Sequence, residues 1–258
     1  MLTTAVSFRT ITRDLDRSLQ QIAAEPRVAL ETAYYRENID KVRSIDDLLK
    51  DRRLFRFAMK AFGLEDMAHA RAFMRKVMTE GVANPASFAK RLSDNRFVRF
   101  AETFDFARYG EFTTARAAAR EGVVEAYLRQ SLENRAGEEN EGVRLALYFQ
   151  REAPKVASAY GLLADPALYE VIKIAFGFPD ALSAADIDKQ AKAILDRLDL
   201  ADLRNPARLD HLIARFAAAW DMRSGARPDP VLSLFGARPA GLDPDLIATL
   251  STLKHGGS

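Results

Sequence analysis

The chain has 258 residues, of which 48 % are hydrophobic and 29 % charged, and it contains no cysteine. A compact fold of this length buries roughly three-quarters of the surface its unfolded chain exposes, so a core needs neither metal nor disulfide to hold it. The missing cysteines exclude disulfides, thiolate nucleophiles, cysteine zinc sites and iron–sulfur clusters, and a formal charge of +2, from 38 basic and 36 acidic groups, is too even a balance for a nucleic-acid footprint.

At the N-terminus, residues 1–17 carry Arg9, Arg13, Asp14 and Asp16, where a secretory signal needs an uninterrupted apolar stretch. No window approaches the ~18 apolar residues of a membrane span. The expectation is a cytoplasmic chain with no membrane span. Phe8, Ile11, Leu15, Leu19 and Ile22 follow at spacings of 3, 4, 4 and 3, the apolar stripe of one amphipathic helix running to Pro26. Two heptads are too few for a coiled-coil seam, so the stripe reads first as core. A second helix is expected over about 26–42, with proline acceptable in its first turn and Tyr34 and Tyr35 within it. From there nearly every segment is rich in Ala, Leu, Arg and Glu, and no alternating Val/Ile run or Asn-Gly hairpin signal appears. The predicted class is all-α.

The chain also resembles itself. Residues 48–63 and 162–177, separated by 114 positions, share seven identities in sixteen: Leu48, Leu49, Asp51, Leu54, Ala61, Phe62 and Gly63 against Leu162, Leu163, Asp165, Leu168, Ala175, Phe176 and Gly177. Further on, Arg99-Phe100-Ala101 matches Arg215-Phe216-Ala217 at a spacing of 116. A duplicated helical unit, 44–109 and 158–223, is the expected organisation, as two pseudo-symmetric halves. Segment 1–43 precedes it, a connecting helix pair occupies 110–157, and a Pro-rich segment, 224–258, ends the chain.

Within the first copy Leu49-x-Asp51-x-Arg53 recurs as Leu92-x-Asp94-x-Arg96, and the second copy has Asp165-Pro166 and Asn205-Pro206. These are helix starts: an Asp or Asn oxygen accepts from an otherwise orphaned amide, and proline fits the next position. Gly63 and Gly177 follow the last apolar residue of their helices, where a left-handed residue is cheapest as glycine. A calcium loop is excluded at Asp51, which supplies one oxygen followed by two cations. The clusters Arg52, Arg53, Arg56 and Arg96, Arg99 read as solvated, paired helix faces.

The connecting pair reads as helices over about 114–135 and 141–157, joined by a turn-rich loop, 136–142. Its Glu138, Glu139 and Glu141 read as solvated acids at the start of the second helix. Leu145, Tyr148 and Phe149 form an apolar face expected at the seam between the halves. In the tail, a short turn near 231–235 and a helix over 242–253, with Ile247, Leu250 and Leu253 on one side, are expected among the prolines.

No G-x-S-x-G, G-x-x-x-x-G-K or G-x-G-x-x-G occurs, and His69, His211 and His255 stand apart from one another and from any ligand pair. The expectation is therefore a non-enzyme with no catalytic residues, no metal site and no cofactor.

Two longer strings, 41–55 continuing through 58–67, and 124–133 with 137–149, resemble a bacterial family of uncharacterised function whose genes are often found among flagellar genes. The resemblance spans about residues 8–220. It implies a flagellar association and transfers no catalytic or ligand residues. The expected function is thus a flagellum-associated accessory or assembly protein acting on protein partners through helical surfaces, with no nucleic acid involved. Phe8, Ile11, Leu15, Leu19, Ile247 and Leu250 are its candidate contact residues. The alternative is a small-ligand-binding protein with a pocket between the halves, lined by Tyr127, Tyr148, Phe149 and Trp220.

Overall fold

The computed structural model describes residues 2–224, and every regular element among them is helical. The tail, with the expected elements near 231–235 and 242–253 and the residues Ile247, Leu250 and Leu253, lies outside the described residues, as does His255. The α-helices are, in chain order, α1 (Thr4–Arg13), α2 (Leu15–Ala24), α3 (Pro26–Asn38), α4 (Ile45–Lys50), α5 (Arg52–Ala61), α6 (Arg71–Thr79), α7 (Phe88–Arg91) and α8 (Asn95–Thr103). They continue with α9 (Phe106–Tyr109), α10 (Glu121–Glu139), α11 (Glu141–Glu152), α12 (Ala159–Ala164), α13 (Pro166–Phe176), α14 (Asp180–Ser183), α15 (Ile187–Leu195) and α16 (Pro206–Ser224).

The helix starts are built as their residue types require. Asp51 Oδ1 accepts from the amides of Arg53 and Leu54 at 2.9 and 3.0 Å, and Asp165 Oδ1 from those of Ala167 and Leu168 at 2.9 and 3.2 Å. Asp94 and Asn205 cap α8 and α16 in the same way. Gly63 and Gly177 take φ of +68° and +63°. In the turn that each ends, the amides of Gly63 and Leu64 reach Lys60 and Met59, and those of Gly177 and Phe178 reach Ile174 and Lys173. Both turns return orphaned carbonyls to hydrogen bonds by one geometry.

The recurrence reaches further upstream than the identities do. Tyr34 on α3 donates its hydroxyl to Asp51, and Tyr148 on α11 donates its own to Asp165, at 2.9 and 2.6 Å. A short 3-10 turn follows each of these helices, Ile39–Lys41 and Ala153–Lys155. Ser44 and Ser158 then cap α4 and α12. The two stretches α3, α4, α5, α6 and α11, α12, α13, α15 share these local features in chain order, with α14 where the first has the 3-10 turn Glu65–Met67.

Two hydrophobic clusters hold these helices. The first is centred on Leu48, Leu54, Phe55, Met59, Met74 and Phe100, and it also takes in Val28, Tyr35, Ile39 and Val42, so packing does not set 1–43 apart. In it Tyr35 stacks on Phe57 and Phe57 on Tyr127, with ring centroids 4.4 and 3.8 Å apart, while the Tyr35 hydroxyl donates to the Ala119 carbonyl. The second cluster gathers α11, α13 and α16 around Leu147, Phe149, Val171, Ile172, Ile213 and Phe216. Each large buried side chain contributes about 1.5–3 kcal/mol relative to exposure.

The N-terminal stripe is divided rather than continuous. Asp14 breaks the helix, with φ −141° and ψ 77°, and caps α2 through the Arg17 amide. Phe8 then packs in the second cluster, Ile11 touches both, and Leu15 and Leu19 pack on the first. The start of α1 is anchored too. The buried Thr4 gives its amide and hydroxyl to Asp221 near the end of α16, and Asn140 donates to the Thr4 hydroxyl. Among the described residues the stripe therefore packs on this chain's own body, with Phe8 buried and Ile11, Leu15 and Leu19 half-buried.

The central pair differs from expectation in its joint. α10 starts only at Glu121 and runs on to Glu139, so Glu138 and Glu139 close one helix rather than opening the next. A single residue, Asn140, separates the helices and caps the Gly142 amide. The glycines read as loop signals are packing positions. A Cβ on Gly137 meets Arg144, and one on Gly142 meets the Trp220 ring at 2.5–2.8 Å.

Candidate functional site

The four aromatic residues expected to line one pocket are divided between the two clusters. Tyr127 belongs to the first cluster, while Tyr148, Phe149 and Trp220 belong to the second or pack against it. Phe149 is fully buried, Trp220 covers Gly142, and the Tyr148 hydroxyl is bound to Asp165. Burial and the neighbouring Asp165 carboxylate raise the Tyr148 phenol far above its ordinary pKa, which keeps it a hydrogen-bond donor. Leu145, Tyr148 and Phe149 likewise serve the second cluster rather than an apolar seam.

What lies where α10 meets α11 is ionic. Glu133, with no exposed surface, accepts from Arg129 Nε at 3.2 Å and from both Nε and a terminal nitrogen of Arg151 at 2.8 Å. Glu152 on α11 accepts from Arg99 on α8 at 2.6 Å, and from Arg151 and Lys155. Burial pushes the Glu152 carboxyl up, but Arg151 and Arg99 outweigh it and hold the group below the ordinary glutamate value. Arg96 is engaged as well, with Asp94 and with the Gly63 carbonyl. Arg96 and Arg99 are thus paired, part-buried cations at a helix junction. Beside them runs a groove of about 370 Å³ between α8 and the segment from Glu152 to α12.

A second cleft, about 230 Å³, opens between α3, α5 and α10. Its walls carry Arg27, Arg52, Arg53, Arg56 and Lys60 against only Glu31 and Glu65, over an aromatic floor of Phe57 and Tyr127. Arg53 is accounted for: it pairs with Glu31 at 2.9 Å and lies 4.0 Å above the Tyr34 ring. Among the described residues Arg27, Arg52, Arg56 and Lys60 form no ion pair. Lys60 sits 4.9 Å over the Tyr127 ring. Burial pushes its ammonium below the ordinary lysine value, Glu65 opposing that shift and Arg27 adding to it. The arginine cluster read as a paired face is therefore paired at Arg53 and not at Arg52 or Arg56. The signal available in sequence was the spacing 52, 56, 60, one stripe of like charge on a helix whose other face is buried.

Other sequence candidates are quiet. His69 is exposed, its Nδ1 2.8 Å from the Asp66 carbonyl, and His211 is exposed on α16. Asp51, with both oxygens engaged by amides and Tyr34, has a capping role. Among the described residues no group of three His, Asp or Glu side chains is placed to hold a metal ion, and no helix is long and apolar enough to cross a membrane.

Fold and site together define an all-α protein with two hydrophobic clusters, a buried ionic junction between them and a cationic cleft on one flank. The chain belongs to the family described as Protein of unknown function (DUF1217), whose model matches residues 61–209. It is similar to the crystal structure of protein AGR_C_984 from Agrobacterium tumefaciens, with 47 % identity, 85 % of this chain and 94 % of that chain covered, and a TM-score of 0.80. No functionally curated protein matches. The family match begins just after Lys60, so the basic residues of the cationic cleft lie outside it.

Proposed function

We propose that this chain is a non-enzymatic, flagellum-associated accessory protein, built on a duplicated helical unit, that acts on a protein partner through a helical surface. The flagellar part is supported by the resemblance of residues 41–67 and 124–149 to a family encoded among flagellar genes. The surface part rests on one observation, the row Arg52, Arg56, Lys60 on α5, which forms no ion pair among the described residues. Like charges at this spacing destabilise a helix by a few tenths of a kcal/mol per pair, roughly 0.2–0.5. An interaction with an anionic partner offsets that cost. Deletion of the gene in its own host, scored by swimming in soft agar and electron microscopy of the cell surface, tests the flagellar part. Loss of motility with missing hooks or filaments supports it, and normal swimming with complete flagella overturns it.

A second reading, a small-ligand protein, is favoured by the groove beside the ionic junction. Its lining is charged rather than aromatic, so the ligand class is polar. A thermal-shift screen of small carboxylates and phosphates tests it: a saturable rise in melting temperature that Lys155→Ala abolishes supports it, and no rise overturns it.

A further inference from the structure

We propose that the cationic row of α5 is the docking site for an extended acidic segment of a partner protein, one that carries carboxylates at alternate positions. This rests on the reading of the chain as a protein that binds another protein, and it names what the partner presents. Three observations carry it.

The first is availability. Arg52 and Arg56 are exposed, as is Arg27 across the cleft, and among the described residues none of them has an acidic partner. The second is shape. The cleft floored by Tyr127 and a second hollow of about 580 Å³, which carries Asp66, His69 and Arg71, share Arg52, Arg56 and Glu65 as lining, so Arg52 and Arg56 border two adjoining hollows. Cations that border two adjoining hollows favour a ligand long enough to reach both over a single compact anion. The third is register. Residues four apart on a helix advance about 6 Å along its axis. Alternate side chains of an extended chain advance about 6.6 Å. Carboxylates at every second position of an extended peptide therefore stay in step with Arg52, Arg56 and Lys60 over the length of α5. The near-neutral chain argues against a continuous phosphate backbone as the occupant.

The test uses the full chain and two fluorescein-labelled decapeptides of identical composition, one alternating glutamate and alanine, the other with five glutamates followed by five alanines. Fluorescence anisotropy at low salt reads the affinity. The alternating peptide is expected to bind several-fold more tightly than the block peptide. Arg52→Glu/Arg56→Glu is expected to weaken it about tenfold, each exposed ion pair being worth up to about 1 kcal/mol. The same variant is expected to gain binding to an alternating lysine–alanine peptide. Both side chains are exposed, so the variant keeps its fold, which circular dichroism verifies; Arg52→Ala/Arg56→Ala supplies a milder second variant, and Lys189→Glu, exposed on α15, is the remote control expected to change nothing. Equal affinity for the two peptides, or affinity indifferent to the reversal at Arg52 and Arg56, overturns the proposal. So does displacement of the peptide by inorganic phosphate at matched anion concentration, which makes the cleft a small-anion site. None of these readouts depends on motility, so the flagellar reading stands or falls by its own deletion test.

Discussion

Two glycines with the same appearance in the chain do different work. Gly177 holds φ at +63° with nothing within 4 Å of where a Cβ would stand. Its replacement by alanine therefore acts through the backbone alone, and Gly177→Ala is expected to lower stability by about 1–2 kcal/mol in urea unfolding. Gly142 lies inside α11 under the Trp220 ring, whose atoms a methyl group would meet at 2.5–2.8 Å. Gly142→Ala is expected to cost about 1–3 kcal/mol through overpacking. Trp220 is the only tryptophan, so its emission maximum should shift in that variant and stay put in Gly177→Ala. An unshifted spectrum in Gly142→Ala would mean that the ring does not lie on the glycine. Gly177 was legible because a helix end is a local event. Gly142 was not, because the atom that forbids its side chain comes from the far end of the described chain.

Helix starts and stops follow the same division. Asp51 satisfies two amides and one phenol, so Asp51→Ala is expected to cost about 0.5–2 kcal/mol in thermal unfolding. Asp51→Asn, which keeps an acceptor oxygen, should recover most of it. The parallel pair at Asp165 is expected to behave alike, since Asp165 caps two amides of α13 and receives Tyr148. Divergent behaviour of the two aspartates would count against a common role. Caps, the Pro-led starts of α3, α13 and α16, and both glycine stops were readable, for their bonds span two to five residues. The division of the N-terminal stripe at Asp14 was not: its apolar spacing is continuous, and the break is justified only by two clusters that α1 and α2 serve separately. The extension of α10 through 136–139 also escaped reading, since Gly137 suggests a loop until α11 is seen crossing close beside it.

The whole molecule turns on the ionic junction where α10, α11 and α8 meet. Removing Glu133 leaves the largely buried Arg129 without a carboxylate and Arg151 with Glu152 alone. Glu133→Ala is accordingly expected to cost about 3–5 kcal/mol. Glu152 adds a pH dependence. Its carboxyl titrates below the ordinary value in the folded chain despite burial, because Arg151 and Arg99 favour its charged form. A depressed carboxyl contributes stability that is complete above the unfolded value, about 4.3, and is lost as pH falls through the folded one. The melting temperature of the natural chain should therefore exceed that of Glu152→Gln by a constant margin between about pH 6 and 7, a margin that closes below about pH 4. A margin that persists in acid would show that the charge of Glu152 is not what stabilises the junction. Periodicity and composition were enough for the all-α class, the helix caps and the 114-residue recurrence, since these arise from interactions within a turn or two of helix and from patterns that repeat along the chain. The division of the four aromatic residues between two clusters, the packing of the N-terminal stripe on both of them, and the contrast among the described residues between paired Arg53 and Arg52 and Arg56 without an ion pair had to await the packed molecule. Each depends on which remote side chain arrives opposite, and a linear pattern of residue types carries no record of that.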